Sequence, residues 1–249
     1  MAEKIQLSVV IPAYKESSNL DKGVLVEVYE FLKDQTYSYE VLIVDDGSPD
    51  DTAMKAEKIT KNWEGFKVLK EPHRGKGGTV IAGILKAKGE IILFTDMDQA
   101  TPITEVSKFF PEFEKGSDIV IGSRAGRKGA PLTRKMMAYG FMLLRTIILR
   151  LPYRDTQCGF KAFTHESAQK VFGVMREYLE RSPENAAVTA GFDLEFLYIA
   201  RKKKMRVKEV QVKWTHKGTD RVNPIRDSLD AIQDMLRVRI NALMGKYKV

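Results

Sequence analysis

Two aspartates, Asp96 and Asp98, follow the apolar run from Ile91 to Phe94, where a buried strand is expected to meet its loop. Neighbouring carboxylates repel each other without a cation, and one of them then takes up a proton. A divalent ion resolves that conflict, because Mg²⁺ and Mn²⁺ bind through one or two carboxylates together with substrate phosphates. An isolated pair of this kind can equally form a turn, so the metal interpretation depends on the neighbouring strand ends.

The segment Gly75-Lys76-Gly77-Gly78 is expected to open a helix. Glycines let a ligand approach the backbone, a helix N-terminus attracts anions, and Lys76 adds a point charge, so the segment favours phosphate binding. The spacing is not that of a P-loop, which requires Ser or Thr after a terminal Gly-Lys, and no G-x-G-x-x-G follows the first strand. A nucleotide hydrolase and a dinucleotide oxidoreductase are therefore disfavoured.

Two further polar segments follow expected strands, Asp45-Asp46-Gly47-Ser48 and Pro12-Ala13-Tyr14-Lys15-Glu16. The first would by itself be a turn. Beside the Asp96 pair it becomes a predicted clamp for a base and a ribose, because carboxylates accept hydrogen bonds from base N–H and sugar hydroxyl groups. Ligands of open parallel sheets bind outside the carboxyl ends of the strands, so one site is predicted there.

The elements that must position these residues alternate in type, which is typical of β-α-β units around a mostly parallel sheet. Buried strands are expected at Leu7–Pro12, Glu40–Asp45, Phe66–Leu69, Glu90–Thr95 and Asp118–Gly122, with helices between them at Asn19–Lys33, Asp51–Trp63, Lys76–Lys88 and Thr104–Glu114. The alternation breaks after residue 122. We then expect a basic loop, two helices, a strand and a last helix, at Arg124–Thr133, Arg134–Arg150, Ala190–Lys203, Arg206–Trp214 and Ile225–Met244.

The formal net charge of +8 on 249 residues implies an anionic partner, which could be nucleic acid, anionic lipid or a phosphorylated substrate. From Ile119 to Arg154 the chain contains no Asp or Glu, and its basic residues there are Arg124, Arg127, Lys128, Arg134, Lys135, Arg145, Arg150 and Arg154. This one-signed segment predicts an anion site. A nucleic-acid-binding module would also explain the charge, but it would place the strand-end carboxylates where phosphates should dock, so no nucleic-acid partner is expected.

The single cysteine, Cys158, excludes an internal disulfide and a cysteine-rich zinc site, which fits a reducing cytoplasm. No secretory signal is recognisable. The longest apolar stretch, Met136 to Leu151, is interrupted by two arginines and is shorter than the roughly 20 residues that cross a bilayer. We expect a cytoplasmic protein that lies peripherally on the cytoplasmic face of a membrane and does not span it.

The expected helix Arg134–Arg150 has apolar residues at helical spacing and basic residues at both ends. Those apolar residues are Met137, Phe141, Leu144, Ile148 and Leu151. Such a helix predicts either contact with a membrane surface, which Ile225–Met244 would assist, or packing against the protein core.

Six blocks of the sequence, in this order, resemble the inverting GT-A glycosyltransferases and, within them, the dolichyl-phosphate β-glucosyltransferases and related polyprenyl-phosphate glycosyltransferases. The blocks are Ser8-Val9-Val10-Ile11-Pro12-Ala13-Tyr14, Val44-Asp45-Asp46-Gly47-Ser48, Arg74-Gly75-Lys76-Gly77-Gly78, Asp96-Met97-Asp98, Gly122-Ser123-Arg124 and Arg154-Asp155-Thr156-Gln157-Cys158-Gly159-Phe160-Lys161. The resemblance implies an α/β GT-A fold, with a Rossmann-like, mostly parallel sheet flanked by helices. It also implies a catalytic domain over 1–223, divided at about residue 122 into nucleotide-sugar and acceptor halves, and a C-terminal amphipathic helix in 224–249.

The resemblance further implies roles for individual residues. The nucleotide-sugar donor would be bound by Pro12, Tyr14, Glu16, Asp45, Asp46, Lys76, Asp96, Met97, Asp98 and Arg221. Within that set, Asp96 and Asp98 would hold Mg²⁺ or Mn²⁺ on the diphosphate, and Arg221 would close over the donor phosphates from a loop at Gly218–Val222. Ser123, Arg124 and Arg134 would bind the phosphate of a polyprenyl or dolichyl acceptor.

The implied reaction transfers a hexose with inversion, in a single in-line displacement by a phosphate oxygen of the acceptor. That oxygen is already anionic near pH 7, so no strong base is obligatory. Asp193 is the candidate catalytic carboxylate for a base or orienting role, with Asp98 as its competitor; as an alternative, Asp193 caps the helix that follows it.

The donor and the acceptor are each left with an alternative. Mannosyl-transferring relatives often carry a metal-coordinating Gln where this chain has Ala100, which favours UDP-glucose over GDP-mannose. Lys15 stands where the family usually has Asn, so the first nucleoside contact stays open. A soluble acceptor remains the alternative to the lipid phosphate.

Overall fold

The computed structural model describes residues 4–124, 132–181, 191–215, 217 and 224–247, with side chains described except at 132–138, 177–181 and 224–228. In this part of the chain, seven strands form one sheet in the order β3-β2-β1-β4-β6-β5-β7. The strands are β1 (Leu7–Ala13), β2 (Tyr39–Asp45), β3 (Phe66–Lys70), β4 (Ile91–Thr95), β5 (Ile119–Arg124), β6 (Phe160–Thr164) and β7 (Val207–Val212). β6 is antiparallel to both neighbours, and the other pairs are parallel.

Helices cover both faces of the sheet. They are α1 (Ser17–Asp21), α2 (Val24–Lys33), α3 (Thr52–Thr60), α4 (Gly75–Lys86), a 3-10 helix (Ile103–Lys108), α5 (Phe110–Glu114), α6 (Leu132–Leu149), α7 (His165–Arg181), α8 (Phe192–Lys202) and α9 (Pro224–Leu243). Because successive strand residues point to opposite faces, Val10 joins the core under α4, α7 and α8, whereas Val9 and Ile11 join the core under α2. The predicted α/β fold, a mostly parallel sheet flanked by helices, is confirmed.

The five strands predicted up to residue 122 are present within one or two residues of their expected ends, and Arg124, expected to start a loop, is the last residue of β5. Two predicted helices are each divided in two. Gly23, with φ +79°, interrupts Asn19–Lys33, and Pro111 lies in the first turn of α5, where a missing N–H is tolerated. Of the predicted loop Arg124–Thr133, residues 125–131 lie outside the described residues, as does residue 190, and the end of the prediction is wrong because Leu132 and Thr133 belong to α6.

β6 and α7 were not predicted from the sequence. The second residue of Phe160–Thr164 is a lysine, which conceals a buried strand. Lys161 is nevertheless fully buried and pairs with Phe94 of β4 and Ile121 of β5. The sequence therefore missed the strand that lies between β4 and β5.

Of the two alternatives for the apolar face of α6, packing against the core holds for three of the five predicted residues, whereas Leu144 is exposed and the side chain of Met137 lies outside the described part of the structure. Phe141 and Ile148 are partly buried against the core, and Leu151, just past the helix, is fully buried. The exposed face of α6 instead carries Tyr139, Leu143 and Ile147. α9 packs against α6 and α8, contributes Met235 and Val238 to the core, and exposes Leu236, Ile240 and Leu243. The predicted boundary between residues 223 and 224 stays a prediction.

α4 approaches the sheet closely because Gly83 faces β1 and β2. A Cβ atom there would lie 2.5 Å from Cγ1 of Val10 and 2.8 Å from Cγ2 of Val44. This close packing sets the position of the first turn of α4, which carries Lys76.

We expect Gly83→Ala to lower the free energy of unfolding by about 1–3 kcal/mol, because the added methyl group overpacks the contact with both valines. Gly173→Ala is the matched control, since a Cβ at this helical glycine meets nothing within 4 Å. The control should raise stability by up to about 1 kcal/mol through helix propensity. Urea denaturation measures both; equal stability of the two variants would contradict the close approach.

Candidate functional site

The predicted site residues converge at one edge of the sheet. β1, β2, β4 and β5 run in the same direction, so Tyr14, Asp45, Asp96 and Arg124 follow or end strands at that edge. β6 begins at the same edge because it is antiparallel, which brings residues 155–161 between the Asp96 and Arg124 positions.

Asp46 holds the loop that opens α4. Its Oδ1 accepts a hydrogen bond from the Arg74 backbone N–H at 2.8 Å, and its Oδ2 accepts one from the Gly75 N–H at 2.9 Å. The Nδ1 atom of His73 lies 2.9 Å from the same Oδ2. Gly75 has φ +76°, which only glycine adopts at little cost. Both oxygens of Asp46 are thus engaged with this loop, so Asp46 positions the backbone of Lys76.

Asp45 and Tyr14, both predicted to contact a nucleoside, lie at the ends of the neighbouring strands β2 and β1. Asp45 is buried, and its Oδ2 accepts a hydrogen bond from the Ser48 N–H at 3.1 Å. Its Oδ1 is buried and has no hydrogen-bond partner among the described residues. The ring of Tyr14 stacks on His73, with centroids 4.4 Å apart. A buried acceptor without a partner beside an aromatic platform fits an N–H donor on a planar base.

The remaining predicted donor contacts lie around these two groups. Pro12 is in β1 opposite Val44, and Met97, in the loop that follows β4, has a buried side chain. Glu16 accepts a hydrogen bond from Asn19 at 2.5 Å, while its own N–H donates to Thr52. Arg221 lies outside the described residues.

Asp96 and Asp98 are held in a short, fixed loop. Gln99 has φ +48° and donates from Nε2 to the Asp96 carbonyl at 2.9 Å, while Asp98 Oδ1 accepts the Ala100 N–H at 2.9 Å. The carboxylate of Asp96 lies directly over Gly159, where a Cβ atom would be 1.9 Å from its Oδ2. The loop geometry and the missing side chain at Gly159 together set the direction of the Asp96 carboxylate.

Lys76 reaches across from α4 to these carboxylates. Its Nζ lies 2.7 Å from Asp96 Oδ1 and 5.6 Å from the centre of the Phe94 ring. Partial burial acts to lower the pKa of Lys76, but the charges of Asp96, Asp193 and Asp98 outweigh it and raise that pKa. Lys76 therefore stays positively charged among three carboxylates.

The carboxylates of Asp96 and Asp98 fit a hard divalent ion whose remaining ligands come from the substrate. No group of three or more His, Cys, Asp or Glu side chains in the described ranges is arranged to hold a metal. Two carboxylates at a strand end are nevertheless what Mg²⁺ or Mn²⁺ uses when phosphate oxygens supply further ligands. Asp96 and Asp98 are thus suited to an ion that arrives with a diphosphate.

Asp193 forms a buried ion pair with Lys161. The Nζ atom of Lys161, which is fully buried, lies 2.7 Å from Asp193 Oδ1 and also donates to the Cys158 carbonyl. Burial raises the pKa of Asp193, and the ammonium groups of Lys161 and Lys76 act against that rise. The cap of α8 is Gly191, without a side-chain hydrogen bond, so the interpretation of Asp193 as a helix cap is wrong.

Arg124, the predicted acceptor arginine, is held by Asp155. Its Nε donates to Asp155 Oδ2 at 2.7 Å and its Nη2 to Oδ1 at 2.8 Å, a bidentate geometry. The guanidinium lies 5.7 Å from the centre of the Trp214 ring. Ser123, also predicted, is half-buried one residue earlier in β5. The side chain of Arg134 is outside the described part of the structure.

The acceptor-side loop is tied to α6 and β7. Arg145 is buried and donates from Nη1 to Thr156 Oγ1 at 3.0 Å and from Nη2 to the Tyr153 carbonyl. Glu209 of β7 accepts the Asp155 N–H at 2.7 Å. Arg145 was counted in the basic segment that predicts an anion site, but its buried guanidinium binds this loop instead. Asp155 could have been found as the first acidic residue after the one-signed segment.

Asp155→Asn should lower the free energy of unfolding by about 3 kcal/mol at pH 7, because it leaves the partly buried Arg124 without its counter-charge. Burial acts to raise the pKa of Asp155, but Arg124 outweighs it and lowers that pKa. The pair's contribution is therefore complete above the unfolded-state pKa of about 3.9 and is lost as the pH falls through the lower folded-state value.

Urea denaturation of wild type and Asp155→Asn between pH 7 and pH 3 measures this difference, which should shrink only below about pH 4. Glu57→Gln is the control, because Glu57 pairs with Lys70 on the exposed surface, where such pairs contribute little. A difference between wild type and Asp155→Asn that is equally small at all pH values would show that the ion pair does not stabilise the loop.

Comparison with known proteins extends over the whole site. A family model described as "Glycosyl transferase family 2" matches residues 8–172. The chain is 34% identical to the dolichyl-phosphate beta-glucosyltransferase of Dictyostelium discoideum, over 99% of this chain and 78% of the relative. It is likewise 34% identical to the Homo sapiens protein of the same name, over 98% of this chain and 78% of that relative.

The fold is similar to that of solved glycosyltransferases. The glucosyl-3-phosphoglycerate synthase from Mycobacterium tuberculosis, in complex with Mn²⁺, UDP and glucosyl-3-phosphoglycerate, superposes with a TM-score of 0.61 at 18% identity. The superposition covers 98% of this chain and 81% of the synthase. The predicted GT-A fold is thereby confirmed.

Proposed function

This chain belongs to glycosyl transferase family 2, and from that premise we propose that it transfers glucose from UDP-glucose to a polyprenyl or dolichyl phosphate. The observation that carries the proposal is the placement of two oppositely charged sites at one sheet edge. The carboxylates Asp96 and Asp98 follow β4, and the clamped arginine Arg124 ends β5. One site suits a metal-bound diphosphate, and the other suits an acceptor phosphate.

On the donor side, the buried Oδ1 of Asp45 would accept a base N–H, and the Tyr14 ring would bound the nucleoside. Asp96 and Asp98 would hold Mg²⁺ or Mn²⁺, which neutralises the charge of a diphosphate when bound. Lys76, and Arg221 by the family resemblance, would meet the charge that develops on the leaving diphosphate. Pre-placed charges of this kind stabilise a transition state without reorganisation at the moment of reaction.

On the acceptor side, Arg124 would orient the attacking phosphate. A guanidinium has five N–H donors, and the two side-chain bonds to Asp155 use only the Nε proton and one Nη2 proton. The bidentate clamp fixes the plane of the guanidinium, so its other N–H groups have a defined direction. Ser123 and Arg134 would complete this contact. The phosphate oxygen would attack as an anion, with Asp193 or Asp98 as an orienting carboxylate.

The choice of glucose rests on the relatives and on Ala100. The curated relatives named above are glucosyltransferases. Because the side chain of Ala100 is a methyl group, this position offers no side-chain ligand to a metal. Ala100 is also buried, and its carbonyl accepts the Thr215 N–H at 2.8 Å. GDP-mannose is the alternative donor, and a soluble acceptor is the alternative to the lipid.

A donor panel tests the reaction. Purified protein with Mn²⁺ or Mg²⁺ and a short polyprenyl phosphate should release UDP from UDP-glucose only when the lipid phosphate is present. Chelation or Asp98→Ala should reduce the rate at least about 100-fold, because the leaving diphosphate loses its counter-charge. Release without lipid dependence would indicate a soluble acceptor, and release from GDP-mannose alone would overturn the glucose assignment.

We also propose that the exposed apolar residues of α6 and α9 meet a membrane surface. None of the described helices is long and apolar enough to span a bilayer. Tyr139, Leu143 and Ile147 follow one another at four-residue intervals on α6, and Leu236 and Ile240 do so on α9, which packs against it. Exposed apolar residues on two helices that contact each other, in a chain that also carries the one-signed basic segment, suit an anionic lipid surface. The predicted cytoplasmic location stays a prediction.

Sedimentation with anionic liposomes at low salt tests this surface. The double variant Leu143→Ser, Ile147→Ser should lower the partition coefficient for the liposomes at least about tenfold, because two aliphatic side chains no longer enter the lipid. Val26→Ser, Met54→Ser is the control, since both residues are exposed on other helices. Equal sedimentation of the two double variants would rule out this face as the contact.

A further inference from the structure

The ammonium group of Lys76 binds the Asp96 carboxylate, which the proposed metal also requires. Its Nζ lies 2.7 Å from Asp96 Oδ1. A divalent ion bound to Asp96 would face this ammonium at close range, and like charges at such a distance repel strongly where water is partly excluded. Lys76 and the ion therefore compete for Asp96, unless the ammonium has a second carboxylate to contact.

The backbone of Lys76 cannot move to relieve that competition. Asp46 binds the backbone N–H groups of Arg74 and Gly75, and Gly83 fixes α4 against the sheet. The Lys76 side chain is half-exposed, however, and lysine rotates freely about four side-chain bonds. Only the ammonium end is therefore free to shift.

Asp193 provides a second carboxylate near the same aromatic ring. The Nζ atoms of Lys76 and Lys161 lie 5.6 Å and 5.7 Å from the centre of the Phe94 ring, and Lys161 is bonded to Asp193 Oδ1 at 2.7 Å. Lys161 is itself immobile, because it is fully buried and also bound to the Cys158 carbonyl. Asp193 is thus held in place through Oδ1, and its Oδ2 can accept a bond from another cation.

We propose that Asp193 is a positioning residue for Lys76: it receives the ammonium when a divalent ion takes Asp96, and so keeps Lys76 beside the donor diphosphate. Lys161 anchors Asp193 for this purpose. The proposal rests on the proposed function for the identity of the metal and the donor. It assigns to Asp193 an action on the donor side, distinct from a base at the acceptor.

Mn²⁺ binding without nucleotide or lipid tests the proposal, with free Mn²⁺ measured by electron paramagnetic resonance. Lys76→Met should bind Mn²⁺ more tightly than wild type, by between about fivefold and 100-fold, because the competing ammonium is gone. Lys70→Met is the matched control, since it removes the same charge from an exposed pair with Glu57 and should change the affinity little.

A double-mutant cycle separates the role of Asp193 from its general charge. Asp193→Asn should weaken Mn²⁺ binding in the wild-type background, because Lys76 then has no alternative to Asp96. In the Lys76→Met background the same change should have a clearly smaller effect. A direct attraction between Asp193 and the ion would weaken binding equally in both backgrounds and would overturn the proposal.

Three further outcomes would also overturn the proposal. Unchanged or weaker binding by Lys76→Met, or no Mn²⁺ binding by any form, would overturn the proposal. The result is independent of the donor panel, since no sugar is transferred. Asp98→Asn should weaken Mn²⁺ binding in every background; if it does not, the proposed metal site fails, and the competition for Asp96 fails with it.

Discussion

β6 separates β4 from β5 by two inter-strand spacings, about 10 Å, and runs antiparallel to both. Most of the site geometry follows from this insertion. The carboxylates that follow β4 and the arginine that ends β5 are kept apart by the width of one strand. The residues that enter β6 lie between them, and they supply Gly159 under Asp96, Lys161 under Asp193 and Asp155 beside Arg124.

Three basic side chains of the site each form an ion pair with an acidic one. Lys161 pairs with Asp193, Lys76 with Asp96, and Arg124 with Asp155. A buried charge is costly unless it is paired and hydrogen-bonded, and the cost rises steeply when one partner is removed. These pairs therefore hold side chains in defined directions more than they add stability, which is what a site that orients two anionic substrates needs.

The sequence was sufficient to predict the parallel half of the sheet and the carboxylates at its edge. Short runs rich in Val and Ile, such as Val41–Val44, are typical of buried parallel strands, and polar residues after each run then share one edge of the sheet. β6 was not predicted, because a lysine in a short segment usually indicates an exposed one. Lys161 is buried only because Asp193, 32 residues away, pairs with it.

The sequence left the orientation of α6 undecided between a membrane surface and the protein core. The helix is apolar on more than one side, so periodicity does not decide which side is buried, and Arg145 points inward to the loop at Tyr153 and Thr156. The pairing of Arg124 with Asp155 joins residues 31 positions apart and has no local sequence signal. Contacts between distant segments thus account for what the sequence did not predict.

Gly159 constrains comparison across the family. A Cβ atom at this residue would occupy the space of the Asp96 carboxylate, so every residue type other than glycine requires that carboxylate to point elsewhere. A glycosyltransferase with a side chain at the residue that corresponds to Gly159 must therefore hold the aspartate that corresponds to Asp96 in another direction. Distances measured around that aspartate in such a protein cannot be transferred to this chain, however similar the two sheets are.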